Sequence, residues 1–143
     1  MFALKRSKPQ DREDKQSIIN ECTLSSYLKC DQLLRSRDVY DFRKTIFVIL
    51  DLMDGDLTTI IRGNIGTLSE EFCKWSLYQV AQGLLAMHNK NVLHRDIKSD
   101  NILYKPDGTI KICDMGFSVF LSEQQKYRDT QRGTINFVSP EIA

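Results

Sequence analysis

His94-Arg95-Asp96-Ile97-Lys98-Ser99-Asp100-Asn101 is the stretch on which the reading of this chain turns. It is polar and lies between two short apolar runs, Asn91 to Leu93 and Ile102 to Tyr104, so it is expected as a loop between small strands where side chains converge. Just downstream, Lys105-Pro106-Asp107-Gly108 reads as a turn, and Thr109 to Cys113 alternates Ile110 and Ile112 as a strand does. Small antiparallel pairings are therefore predicted on both sides of the octet. Asp114 follows the alternating strand at a turn containing Gly116, whose freedom would let Asp114 face the same cleft from the other side.

Upstream, Ser69-Glu70-Glu71 supplies a capping residue and first-turn acids. Behind it Cys73, Leu77, Val80, Ala81, Leu84 and Leu85 repeat at three and four, one apolar face over about four turns, which predicts the core helix. Trp75 and His88 are read as structural on that helix. Thr45 to Leu52 is rich in β-branched and large apolar residues and predicts a buried strand, which Met53-Asp54-Gly55-Asp56 breaks. Between about Asp14 and Leu28, the positions Ile18, Ile19, Cys22 and Tyr27 approximate helical spacing, with Glu21 beside the stripe. Met1 to Lys5 reads as the end of a strand and Lys8 to Lys15 as a solvated turn. From Gly116 to Ser139 no period is sustained, and the length predicts a functional loop.

The composition sets outer bounds. With 143 residues, 41% hydrophobic and 27% charged, the chain can bury one core, which excludes a disordered or fibrous class. Twenty Lys and Arg against nineteen Asp and Glu leave a net charge of +1, so neither nucleic acid nor an acidic membrane is an expected partner. Apolar runs such as Ile46 to Leu50 fall far short of the roughly 18 residues that span a bilayer. No secretory apolar region opens the chain, so a cytoplasmic location is the default expectation. Cys22, Cys30, Cys73 and Cys113 are irregularly spaced and read as reduced thiols packed as small apolar groups.

Phosphoryl transfer needs a carboxylate to orient the attacking hydroxyl, an ammonium to balance charge on the moving group and oxygen ligands for magnesium. Asp96, Lys98 and Asn101 supply these in order. Taken together, the octet, the Asp114-Met115-Gly116 triplet, Gly133-Thr134 and Ser139-Pro140-Glu141 resemble the catalytic loop, metal loop and activation-segment end of the eukaryotic protein kinases. Phe2-Ala3-Leu4-Lys5 resembles their V-A-I-K strand, and Glu21 the helix glutamate that pairs with its lysine. The wording HRDIKSDNIL, with the GFS and GT landmarks, is most similar to the STE group, particularly its PAK-type members.

The resemblance covers essentially the whole chain. It implies an α+β, two-lobe fold that is incomplete, starting at the third N-lobe strand and ending after the activation segment. Residues 1–52 would be part of the N-lobe, and 53–143 the hinge and the first part of the C-lobe. The implied activity is phosphoryl transfer from ATP, with Mg2+, to Ser/Thr hydroxyls of protein substrates. Asp96 is then the residue that accepts or aligns the substrate hydroxyl, and Lys98 the neutraliser of the transferred group, typical of Ser/Thr rather than Tyr kinases. Asn101 and Asp114 are the implied magnesium ligands. Lys5 would touch the α- and β-phosphates and pair with Glu21. Leu50 stands at the gatekeeper position, the backbones of Asp51 and Met53 at the adenine-binding hinge, and Leu103 at the floor under the adenine ring.

Regulation is implied as well. Arg95 goes with control by a phosphate on the activation segment, which an arginine fork can clamp; Thr130 is the candidate acceptor for an upstream activating kinase. Thr134 is expected to bond to Asp96 and Lys98, and His94 to support the loop from the core. Met115 in place of the usual Phe is a mild departure, since Met is apolar and adaptable, and Ser139 in place of Ala is another. Ile135-Asn136-Phe137-Val138 is less typical of the STE group. Nothing precedes Lys5 that could form the glycine-rich strand pair, and Glu141 lacks the later arginine it would pair with. The expectation is a fragment of an active Ser/Thr kinase; the alternative is a noncatalytic kinase-like module acting by partner or nucleotide binding. The helix face around Leu77 and Leu84 is expected to be partly exposed.

Overall fold

A computed structural model describes residues 1–64, 67–121 and 134. The apolar run at Thr45–Asp51 forms strand β3 of a three-stranded antiparallel sheet in which it is the central strand, flanked by β1 (Phe2–Ser7) and β2 (Ser36–Phe42). Ile46, Val48 and Leu50 face the core and are buried, while Phe47 and Ile49 on the other face are half-buried. The register sets Lys5 opposite Val48 and Ala3 opposite Leu50. Strand β2 carries no alternating apolar signal, because it is an edge strand whose Val39, Tyr40 and Phe42 are exposed.

Helix α1 (Arg12–Tyr27) is capped by Asp11, whose carboxylate accepts from the Asp14 N–H at 2.8 Å. Its buried face differs from the expected stripe: Ile19 and Tyr27 are exposed, while Glu21, Leu24 and Ser25 are buried. Two polar residues on the inner face dilute the apolar period, and both are satisfied. The Ser25 hydroxyl donates to the Leu34 carbonyl at 3.1 Å and accepts from the Ser36 N–H at 2.5 Å, stapling the helix to the start of β2.

Past a two-residue strand β4 (Gly55–Asp56), Asp56 caps a short helix α2 (Leu57–Gly63) that the sequence did not announce. Helix α3 (Glu70–His88) begins at Ser69 as expected, the hydroxyl accepting from the Phe72 N–H. Its inner face is a correction. Ser76, Gln79, Gly83 and Met87 are buried, Val80 and Leu84 are half-buried, and Cys73, Ala81, Leu85 and Leu77 are exposed, Leu77 by 69%. The reason is the hairpin of β6 (Ile102–Tyr104) and β7 (Ile110–Ile112) against that face. Gln79 donates to the Gly108 carbonyl at 2.7 Å and accepts from the Ile110 N–H at 3.1 Å, while Trp75 Nε1 donates to the same carbonyl at 3.0 Å. Gly83 permits the close approach, since a Cβ there would lie 2.8 Å from Ile112 Cδ1. His88 is exposed in the last turn.

The turn at 105–108 and the pairing of β6 with β7 agree with expectation, and β4 adds to the free side of β6. Strand β5 (Val92–Leu93) pairs with β8 (Val119–Phe120). Leu24, Leu28, Leu33, Met87, Val92, Ile102, Ile110, Ile112 and Met115 form one core cluster; Leu34, Ile46, Val48 and Leu50 form a second under the first sheet. The architecture is α+β. All four cysteines are free. Among the described residues no helix is long and apolar enough to cross a membrane.

Candidate active site

Between the first sheet and the β6–β7 hairpin lies a cleft of about 370 Å³. Ala3, Leu4 and Lys5 of β1, Leu50 of β3, Glu21 of α1, Leu34, and on the opposite side Asn101, Leu103, Cys113 and Asp114 line it. Thus Lys5, Glu21, Leu50, Leu103, Asn101 and Asp114, named from sequence, come together, while Ala3, Leu34 and Cys113 were missed as ordinary apolar positions. Met53 packs under the second cluster. Asp51 ends β3, its carboxylate held by Arg37 Nε at 2.7 Å. That bond and the guanidinium charge hold the Asp51 carboxyl below its usual range against partial burial.

Lys5 Nζ lies 2.7 Å from Glu21 Oε2. Burial works to lower the Lys5 pKa, but the charge and hydrogen bond of Glu21, helped by Asp114, outweigh it and the net shift is upward. The ammonium is therefore fixed as a cation at the cleft wall. Burial pushes the Cys113 thiol up to about 12, so it lines the cleft uncharged.

The octet is a loop held from within. Arg95 (φ 70°) and Asp114 (φ 60°) both adopt left-handed backbone, a conformation that costs on the order of 1–2 kcal/mol for a residue with a Cβ. Surrounding bonds compensate for it: Arg95 Nε donates to the Phe117 carbonyl at 2.7 Å and the Ser118 hydroxyl to the His94 carbonyl at 3.4 Å. Glycine at 116 has a different reason from the one expected. The turn's positive φ falls on Asp114, and a Cβ at Gly116 would lie 2.3 Å from Ser17 Oγ. Asn20, which the sequence gave no cause to single out, donates from Nδ2 toward the carbonyls of Met115, Gly116 and Ser118 at 3.3, 3.2 and 2.8 Å.

Asp96 is 4% exposed and fully engaged. Its carboxylate meets Lys98 Nζ at 2.9 Å, accepts from the Thr134 N–H and hydroxyl at 3.0 and 2.7 Å, and accepts from Asn101 Nδ2 at 3.0 Å. Burial alone would raise its pKa, but the bonds from Lys98 and Thr134, the Lys98 charge and Asn101 together lower it, so the group is an anion. Lys98 also donates to the Thr134 hydroxyl at 2.7 Å, and its own pKa is raised, chiefly by the bond to Asp96. Ser99, in the 3-10 turn Ser99–Asn101, shares a 2.6 Å hydroxyl contact with Thr58 of α2. The candidates Thr130 and Glu141 lie outside the described residues, as do Gly133, Ser139 and Pro140.

His94 Nδ1 accepts from the Asp96 N–H at 3.3 Å, so Nε2, 3.0 Å from the Cys113 carbonyl, carries the proton of a neutral ring. Burial pushes its pKa down, against the Cys113 carbonyl and the carboxylates of Asp114 and Asp96. A neutral native histidine that charges on unfolding makes the unfolded state bind more protons. Stability from this group is complete above about pH 6.5 and declines as pH falls below it. Urea unfolding at pH 7.5, 6.5 and 5.5 is expected to show that decline in the wild type and a flatter dependence in His94→Gln; parallel slopes would assign the loss to another group.

Two oxygens in the cleft suit a hard cation. Asn101 Nδ2 is occupied by the Asp96 carbonyl, at 2.8 Å, and carboxylate, which leaves the amide oxygen as the donor available beside the Asp114 carboxylate. Among the described residues no three or more His, Cys, Asp or Glu converge on a metal position. An amide oxygen and a carboxylate are hard donors of the kind that suit Mg2+, which is held through one or two carboxylates and completes its shell with phosphate and water.

The family model described as protein kinase domain matches residues 1–143. The chain is 33% identical over 150 residues to the serine/threonine-protein kinase SKM1 of Saccharomyces cerevisiae, 34% over 147 residues to STE20 of Kluyveromyces lactis and 35% over 149 residues to CST20 of Candida albicans. These alignments cover 98%, 98% and 99% of this chain, which spans 23%, 14% and 12% of those proteins. STE20-type relatives agree with the subgroup that the wording of the octet resembles. A buried, anionic Asp96 between Lys98 and Thr134, a Lys5–Glu21 pair in the wall of the cleft and a match over every residue lead to one assignment: the chain belongs to the protein kinase domain family.

Proposed function

We propose that this chain supports transfer of the γ-phosphoryl group of ATP to Ser/Thr hydroxyls of protein substrates. The observation that carries the reading is the engagement of Asp96 by Lys98 and Thr134, which keeps a charged carboxylate and an ammonium side by side, next to Asn101 of the cleft. In this reading Asp96 aligns the incoming hydroxyl and takes up its proton, and Lys98 balances the charge developing on the transferred oxygens. Lys5, held by Glu21, binds the α- and β-phosphates; Leu50, Leu103 and the backbones of Asp51 and Met53 hold the adenine. Asn101 and Asp114 would hold Mg2+, which when bound neutralises phosphate charge and draws the phosphates into line.

Residues 1–52 would form the upper part and 53–143 the hinge and lower part, with the cleft between. Arg95, through its position in the octet, would answer to a phosphate placed on Thr130 by an upstream kinase. The test is transfer from Mg·ATP by the full-length protein to matched peptides carrying Ser, Thr or Tyr. Phosphate on Ser and Thr but not on Tyr is the expected result. Transfer to Tyr alone, or none to any peptide from an activated preparation, would overturn the reading.

A further inference from the structure

Ser17, Asn20 and Glu21 lie three and four apart on α1 and so share one face of the helix. Glu21 holds Lys5 at 2.7 Å. Its neighbour Asn20 reaches the other wall of the cleft, where two amide hydrogens are divided among the carbonyls of Met115, Gly116 and Ser118, Ser118 being nearest at 2.8 Å. Those carbonyls follow directly on Asp114, whose own left-handed backbone would relax without support. Ser17 adds contact without a bond, filling the space that a Cβ at Gly116 would need.

We propose that Asn20 is a positioning residue which sets the Asp114 carboxylate by clipping the backbone after it to α1. The inference rests on the phosphoryl-transfer reading, in which Asp114 holds Mg2+. One helix then fixes both the phosphate-binding cation and the metal carboxylate, Lys5 through Glu21 and Asp114 through Asn20. Only a donor can serve at position 20, because three acceptors face it. Leu fills a similar volume and donates nothing; Asp is nearly isosteric and presents a carboxylate to three carbonyl oxygens.

The experiment follows binding of a fluorescent ATP analogue to the full-length protein while MgCl2 is titrated. The wild type is expected to bind in a Mg2+-dependent manner that Asp114→Asn removes. Asn20→Leu and Asn20→Asp are each expected to raise the half-saturating Mg2+ roughly threefold to tenfold, the effect of losing one or two neutral hydrogen bonds. Lys15→Ala, on the same helix but paired with Asp41 at the surface, should leave it where it is. A general loss of folded protein would reduce the amplitude and leave the midpoint unmoved, so a shifted midpoint separates positioning from mere stability. If the wild type responds to Mg2+ and Asp114→Asn does not, yet a folded Asn20 variant keeps the wild-type midpoint, the positioning role is overturned. If the wild type itself binds without regard to Mg2+, the phosphoryl-transfer reading fails together with the inference.

Discussion

Asp96→Asn is expected to lower kcat by on the order of 10²- to 10⁴-fold, the usual contribution of a positioned general base, while the KM for ATP changes little. The substitution preserves shape and removes charge. The carboxylate accepts from Lys98, Thr134 and Asn101 at once; an amide offers one oxygen to these donors and turns its own N–H groups toward the rest. Lys98 then loses its anion. The cleft proposed to take the nucleotide is lined by other residues, Lys5, Leu50, Leu103 and Asp114 among them, which is why the effect should fall on the rate and not on ATP affinity. Steady-state kinetics on the wild type and the variant give both quantities. A kcat within threefold of wild type would remove Asp96 from the chemistry.

Met87→Ala is expected to destabilise the fold by about 2–5 kcal/mol, the range for truncating a large apolar side chain in a core. Met87 is 0% exposed and belongs to the cluster that includes Val92, Ile102, Ile112 and Met115. Little room for collapse exists there, because Gly83, one turn earlier, already brings α3 against Ile112. Set against a typical net stability of roughly 5–15 kcal/mol, the loss is large. Denaturant unfolding measures it, with Trp75, the chain's single tryptophan, as the reporter. A change under about 1 kcal/mol would mean that neighbouring side chains close the cavity.

The grouping of Asp96, Lys98 and Asn101 was legible because they are separated by a few residues, and the structure needs only one loop to join them. Helix α3 was legible as a helix, from its Ser69 cap and its period, but not in its orientation. Its inner face includes Ser76, Gln79 and Gly83; Gln79 bonds the hairpin backbone and Gly83 makes room for the Ile112 side chain, and no hydrophobic pattern reports such partners. Edge strand β2 and short helix α2 lacked a buried stripe altogether. Asn20 was hidden for a further reason: its nearest acceptors stand 95 to 98 positions away, and a polar residue on a helix looks solvated until the chain returns to meet it.

The same backbone contacts decide what the β6–β7 hairpin can do to other molecules. The outer side of β7 would ordinarily present unpaired N–H and C=O groups, a template on which a foreign strand can polymerise. Here Ile110 gives its N–H to the Gln79 side chain, Ile112 gives its N–H to the Gln32 carbonyl, and the Ile112 carbonyl accepts from the Leu34 N–H. A helix glutamine and a passing loop segment stand in for the missing neighbour. The β7 edge of the sheet beneath the cleft is thereby closed to strand addition.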